Sequence, residues 1–393
     1  HQSIGERLEA AHGGGRSAVA AELASHFERS GDDARAVRYL IEAAFAARAR
    51  FAEREAENDL SAALRHLEAL PASEERDLQE ILIRTARSLA RLVTQGSALD
   101  GEEEQSVERA VTLLLARPGR PELFPLLRGC WQVQVFRCHP REMAILAQRL
   151  TDLAAASGKS DRLAEAALAQ GMVELLTAEL AAADATLGRG WQHFEAHSEQ
   201  RAAQARPLTA RWREIGVQLA IAHSWSQLFQ GLVPATRQSH ERALAVAATG
   251  AIHPFVLGGT RLAIAAMEAQ IGDLAAALRH NESGRELAEE HQLLALRDAL
   301  QLQRCYIRAA AGEPGAPEID LTAQLALAAS LHPSMFHPVS RLYVVRSCLL
   351  AGAVQPGLER LAALQADCAA RGVRWFDAEM ARLHQRLLAH GDG

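Results

Sequence analysis

The stretch "HFERSGDDARAVRYLIEAA", residues 26–44, decides how the chain is read. One helical run stops at Gly31 and a second begins at once, with Ala36 one turn in where a bulky residue might be expected. Glycine adopts the left-handed conformation that ends a helix, and a small side chain early in the next helix lets two backbones approach closely. The same turn recurs. Gly231, Gly272, Gly312 and Gly352 each follow a helical run, at spacings of 41, 40 and 40 residues. Five residues beyond three of them stand Thr236, Ala277 and Gly357, whereas Pro317 breaks the pattern after Gly312. An aliphatic residue follows the small one in three copies, at Val37, Leu278 and Leu358. A weaker copy lies at 164–196, where "TAELAAADA" takes the place of the glycine turn.

A fixed period of this size is the signature of stacked helical hairpins. Between the turns, "ARAVRYLIEAAFAARARF", "REMAILAQRLTDLAAA" and "LERLAALQADCAARG" place apolar residues at i, i+3, i+4 and i+7. The best strand candidate is "WQVQVF" at 131–136, but it sits between helical stretches without a partner strand and is read as helix. The expected fold is all-α: a right-handed superhelix of tetratricopeptide-like (TPR-like) hairpins. Breaks near 94–103, 198–207 and 311–317 divide the pattern. The first suggests an N-terminal helical block over 1–100 and a repeat array over 101–393.

Bulk composition supports a packed, charge-balanced chain. At 393 residues and 49% apolar it has ample material for a core, and 42 basic against 48 acidic residues give a net charge of −6. No basic footprint for nucleic acid emerges from that balance. The longest acidic block is "GEEEQ" at 101–105. Five cysteines, odd in number, far apart and without a CxxC pair, read as reduced thiols, and a cytoplasmic location is expected. No apolar run approaches the roughly 20 residues of a membrane helix, so no membrane partner is expected. Because it opens at His1, directly in amphipathic sequence, the chain is expected to be a piece of a longer polypeptide.

The run "GDDARAVRYL", with "AELASHFE" before it and "FAEREAENDLSAALRHLEALP" after it, resembles the region beyond the ATPase core of bacterial STAND-type signalling ATPases. That group fuses a predicted ATPase to a nucleotide cyclase, a kinase or a winged-helix transcription regulator. "LAEAALAQG" at 163–171, "GLVPATRQSHERAL" at 231–244 and "WFDAEMARLHQRLL" at 375–388 are similar to it as well, with Gln385 replacing a glycine of the family's closing motif. The resemblance covers nearly the whole chain but specifies helical repeats more than chemistry. It implies a sensor or scaffold arm, with ATPase and output domains lying N-terminal to His1.

Motifs of catalysis lead to structural readings. "SGKS" at 157–160 lacks the glycine a phosphate loop needs, because Leu153 stands there; Ser157 or Ser160 is expected to cap a helix start. His193 and His197 in "HFEAH" share a helix face, yet Phe194 follows the first histidine and no third ligand is identifiable, so no metal is expected. "CHP" at 138–140, with Cys130 eight residues earlier, reads as small apolar filling. No catalytic residue, enzyme activity or cofactor is therefore assigned. Arg201, Arg206, Arg211 and Arg213 read as a solvated face.

A solenoid binds along a concave surface lined by the first helix of each hairpin. Counting back from the glycines, that stripe collects Gln218, Trp225, Phe229, Gln270, Arg304, Tyr306 and Arg346. Aromatic and arginine anchors favour a protein or peptide partner, or a small-molecule effector; packing between repeats is the competing reading for Trp225 and Tyr306. Trp191, Trp212 and Trp375 are assigned to packing. The expected function is a non-catalytic sensor or interaction module. A structural scaffold for assembly or self-association, with an oligomer possible, and a helical-repeat enzyme with a dispersed site are the alternatives.

Overall fold

The computed structural model describes residues 1–12, 19–95, 101–117, 119–312, 321–330 and 337–391. They are helical with no strand among the described residues, and they pack as two compact units, His1–Val133 and Gln134–Gly393. Residues 96–100 of the seam expected near 94–103, and Pro317 of the degraded repeat, lie outside the described residues.

The first unit holds α1 (Gln2–Ala11), α2 (Ala20–Ser30), α3 (Asp33–Ala49), α4 (Glu53–Glu68), α5 (Glu74–Gln95), α6 (Gly101–Leu115) and most of α7 (Phe124–Arg137). "WQVQVF" forms the end of α7, as helix. Leu23, Phe27, Val37, Tyr39, Leu60, Leu67 and Ile83 build the core, with Ala36 fully buried where α2 and α3 meet. The acidic block "GEEEQ" opens α6, where three carboxylates complement the positive end of the helix dipole. Glu103 in that block is wholly buried and accepts hydrogen bonds from Arg87 at 2.8 Å, Arg91 at 2.9 Å and Ser88.

Asp59 on α4 is an unfavourable group in this unit. Its Oδ2 is buried without a hydrogen-bond partner, and burial, followed by the nearby charges of Glu55 and Glu28, pushes its pKa up to about 6 from 3.8. The folded state therefore holds this proton more tightly than the unfolded state, and stability falls as pH rises from about 4 to about 6. Asp59→Asn is expected to flatten that slope. Above pH 6 it should stabilise by about 1 kcal/mol, a figure discounted for the solvent that reaches this half-buried group. Thermal melts of both proteins at pH 4 and pH 7 check it.

The second unit continues with α8 (Pro140–Ser157), α9 (Ser160–Leu176), α10 (Leu180–Ala203), α11 (Ala210–Phe229), α12 (Val233–Ala248), α13 (Pro254–Ile271), α14 (Leu274–Glu290), α15 (Leu294–Ala310), α16 (Leu321–Ser330), α17 (His337–Leu350), α18 (Val354–Arg371) and α19 (Asp377–Gly391). Each helix packs on its sequence neighbour, and α9, α11, α13, α15, α17 and α19 also pack on one another in succession. The helices between them touch each other weakly or not at all, so the array curves with the first set on its inner side. This is the geometry of a helical solenoid.

The hairpin turns follow one plan. At Gly231 the N–H donates to the carbonyl of Leu228, the N–H of Leu232 reaches back to Gln227, and that of Thr236 closes the next turn on Leu232. Gly31, Gly231, Gly272, Gly312 and Gly352 all have positive φ, between 63° and 97°. Thr236 and Ala277 are fully buried, and a Cβ on Gly357 would stand 2.8 Å from Leu387, which is why small residues occupy those places. Four further turns among the described residues repeat these hydrogen bonds without glycine: Phe51, Cys138, Ala178 and Gln292 take φ of 63°, 51°, 65° and 53°. Ala178 is the turn inside "TAELAAADA", with Ala183 as its buried small residue, and Cys138 stands 40 residues before it.

Left-handed backbone disfavours any side chain with a Cβ by about 1 kcal/mol. Gln292, at φ 53° in the exposed turn between α14 and α15, carries that strain with its side chain in solvent. Gln292→Gly is expected to stabilise the protein by up to about 1 kcal/mol, read as a raised urea midpoint.

Candidate functional site

The inner helices end in a row, and their last turns bring four stripe residues to one cavity. Phe229 closes α11, Gln270 lies in the last turn of α13, Tyr306 on α15 and Arg346 on α17, and all four line a cavity of about 630 Å³. Leu228, Leu349, Leu350 and Leu383 add apolar wall. The other three stripe residues lie elsewhere. Trp225 is buried behind the cavity with its ring 5.4 Å from Phe229; Gln218 is half-buried in the middle of α11; Arg304 faces Glu282 at 3.5 Å.

The opposite wall is the end of the chain itself. Arg374, Trp375, Asp377, Glu379, Arg382 and Arg386 line the same cavity. Two long-range hydrogen bonds hold this segment: the backbone N–H of Arg374 donates to the Leu176 carbonyl at 2.7 Å, and the Arg371 guanidinium to the Arg137 carbonyl at 3.1 Å. The last hairpin of the array thus returns to its first helices. Trp375 and Phe376 complete an aromatic cluster, at 5.5 Å between the rings of Trp375 and Trp225 and 5.5 Å between those of Phe376 and Phe229. Trp375, expected to serve packing, both packs and faces the cavity.

Arg346 is the electrostatic centre. It is only 7% exposed, and a buried guanidinium is tolerated when it is paired. Glu379 accepts from it at 2.9 Å and forms an ion pair with Arg382 at 2.6 Å, while the rings of Tyr343 and Tyr306 lie 5.2 and 5.7 Å from the Arg346 Cζ. Behind Tyr343 a buried relay fixes the position: Gln303 donates to the Tyr343 hydroxyl at 3.2 Å and accepts from Asn281 at 2.8 Å. Asp377 pairs with Arg374 at 3.3 Å. Four arginines face two carboxylates, each already engaged, and Arg386 makes no ion pair among the described residues, so the lining carries an excess of positive charge.

The motifs of the sequence resolve into structure. In "CHP", Cys138 is the left-handed residue of a turn, His139 the N-cap of α8 and Pro140 its first residue. Burial raises the Cys138 thiol to about 12 and that of Cys130 to about 11, which keeps both protonated at neutral pH. "SGKS" spans the end of α8 and the start of α9, but neither serine caps the second helix: Lys159 holds the N-cap position, and Ser157 accepts from the Lys159 N–H within the turn. His197 packs on the Trp212 ring at 4.5 Å. Arg213 departs from the expected solvated face, being buried and donating to the carbonyls of Ala251 and Leu208, because the loops before α11 and α13 turn these carbonyls toward it. No helix among the described residues is long and apolar enough to cross a membrane.

No family model matches this sequence, and no curated protein does. Among solved structures the chain is similar to a Rap protein crystallised in complex with competence and sporulation factor, at a TM-score of 0.50 and 11% identity, over 90% of this chain and 99% of that one. At that identity the likeness bears on architecture alone, and it agrees with the turns and the inner row of helices: this chain folds as an all-α, TPR-like helical-repeat solenoid.

Proposed function

We propose that this chain is a non-catalytic binding module, the sensor arm of a larger bacterial signalling ATPase or transcription regulator, and that its ligand or partner is held in the concave groove. The observation that carries this reading is the cavity at the ends of the inner helices, lined by Phe229, Gln270, Tyr306 and Arg346. Its size suits a small effector or a short stretch of peptide. Among the described residues its lining holds no cysteine, histidine or serine, and its two carboxylates are tied to arginines, which favours holding a ligand over transforming one. The Rap protein complexed with competence and sporulation factor offers a precedent for a fold of this kind holding a partner. The signalling-ATPase context rests on the resemblance of "GDDARAVRYL" and "WFDAEMARLHQRLL" to that group. Occupancy would favour one placement of the arm over another and act by population shift.

The test is a thermal shift with the low-molecular-weight fraction of the cell's own extract. A ligand at about 100 times its Kd stabilises by about 2.7 kcal/mol, an upward shift of a few degrees for a chain of this size. Wild type should show the shift, and Gln270→Trp, which fills the cavity, should lose it. Equal shifts in both proteins, or none in either, would contradict the reading.

A further inference from the structure

We infer that the cavity takes an apolar-bodied anion, and that the ligand's carboxylate displaces Glu379 from Arg346. This inference rests on the binding-module reading and deepens it by naming the ligand's chemistry. The walls supply both halves of the recognition. Phe229, Tyr306, Leu349 and Trp375 give the cavity an aromatic and aliphatic lining, with Phe229 and Trp375 in edge-to-face contact at 6.4 Å, while Arg346 stands beside them with its charge already desolvated. A guanidinium packed beside two adjoining tyrosine rings, one of them fixed by the Gln303 relay, is preorganised for a planar carboxylate.

Glu379 now occupies that position, and it belongs to α19, the helix that closes the cavity. The helix is thus pinned in part by an internal carboxylate of the kind an external ligand would supply. When such a ligand binds Arg346, Glu379 keeps Arg382 alone, a partner whose side chain is 66% exposed and therefore holds it weakly. The contact between α17 and α19 weakens as a consequence. Arg386, exposed at the rim and without an ion pair among the described residues, adds attraction for the incoming anion. Binding and loosening of the C-terminal helix are therefore coupled, because one arginine cannot serve both carboxylates fully.

Two sources share this chemistry: a small organic acid and the C-terminus of a peptide. The experiment is calorimetric titration of the whole chain with octanoate and octanamide, and with an acetylated Ala-Ala-Leu-Phe tetrapeptide as free acid and as amide. Each acid should bind about tenfold tighter than its amide. Tighter binding of octanoate identifies the organic-acid source, and tighter binding of the peptide acid identifies the peptide source. Glu379→Gln, which removes the competing charge, should tighten binding of the acids several-fold. Arg386→Gln, at an exposed position, should weaken it several-fold without unfolding the chain. Hydrogen exchange across 377–391 should quicken when an acid is bound. If acid and amide bind alike, the cavity remains a binding site but not one for an anion, and this inference fails alone. If no probe binds either wild type or Glu379→Gln while extract still raises the melting temperature of wild type, the inference fails and the binding module stands. Absence of both effects overturns the two together.

Discussion

Glu103→Ala is expected to destabilise the first unit by about 3 kcal/mol. Glu103 has no exposure to solvent and accepts from Arg87, Arg91 and Ser88 at once. Removing one member of a buried charge cluster leaves the others desolvated and unpaired, which costs about 3–5 kcal/mol. The low end applies here, because the side chains of Arg87 and Arg91 are 11% and 22% exposed and water can reach them after the change. Glu103→Gln keeps the shape and a hydrogen-bonding oxygen for Ser88 while removing the charge, so it should lose less. Urea unfolding followed by far-ultraviolet circular dichroism separates the three proteins. A loss below about 1 kcal/mol for Glu103→Ala would mean that the arginines find other partners and that the cluster is not holding α5 to α6.

Gly216→Ala should cost about 2 kcal/mol, although alanine is the better helix former by about 1 kcal/mol. A Cβ at Gly216 would lie 2.4 Å from the Phe194 ring. That ring has nowhere to go. It is stacked on Trp212 at 5.1 Å and tilted against Trp191 at 5.2 Å, so α10 and α11 would have to separate. Shrinking the obstacle should restore part of the loss: Gly216→Ala combined with Phe194→Leu is expected to fall short of the sum of the two single effects. Thermal melts of the four proteins in that cycle measure the coupling directly.

The turns show where sequence is informative and where it is silent. Gly31, Gly231, Gly272 and Gly352 mark left-handed positions because glycine is the residue that takes them without strain, and the small residue five places on follows from the close approach of two helices. Phe51, Cys138 and Ala178 take the same conformation, but no residue type signals it there: Cys138 is buried in it, whereas Phe51 and Ala178 are exposed. Cys138, read from the sequence as small apolar filling, is buried and also carries a turn. The period of about 40 residues is visible in the glycines from Gly231 onward and recurs between Cys138 and Ala178, although 53 residues separate Ala178 from Gly231 because the long helices α10 and α11 intervene.

The cavity divides in the same way. Phe229, Gln270, Tyr306 and Arg346 come from counting helical turns back from each glycine, which is a local operation. Trp225, from the same count, lands one turn behind, because its neighbours Trp375 and Phe376 arrive from the far end of the chain. That return of α19 onto the inner helices depends on Arg374 meeting Leu176 and on Glu379 meeting Arg346, contacts separated in sequence by 198 and 33 residues. No periodicity encodes them. Arg213 is similar: its sequence neighbours suggest a surface charge, whereas its partners are carbonyls in loops that fold brings together.

Native mass spectrometry of the chain purified from its own cells, with minimal washing, tests the central claim most directly. A discrete bound species of a few hundred daltons is expected on wild type, and its loss is expected in Gln270→Trp, where the cavity is filled. The same added mass on both proteins, or a bare chain in each, would contradict the assignment of this cavity as the binding site.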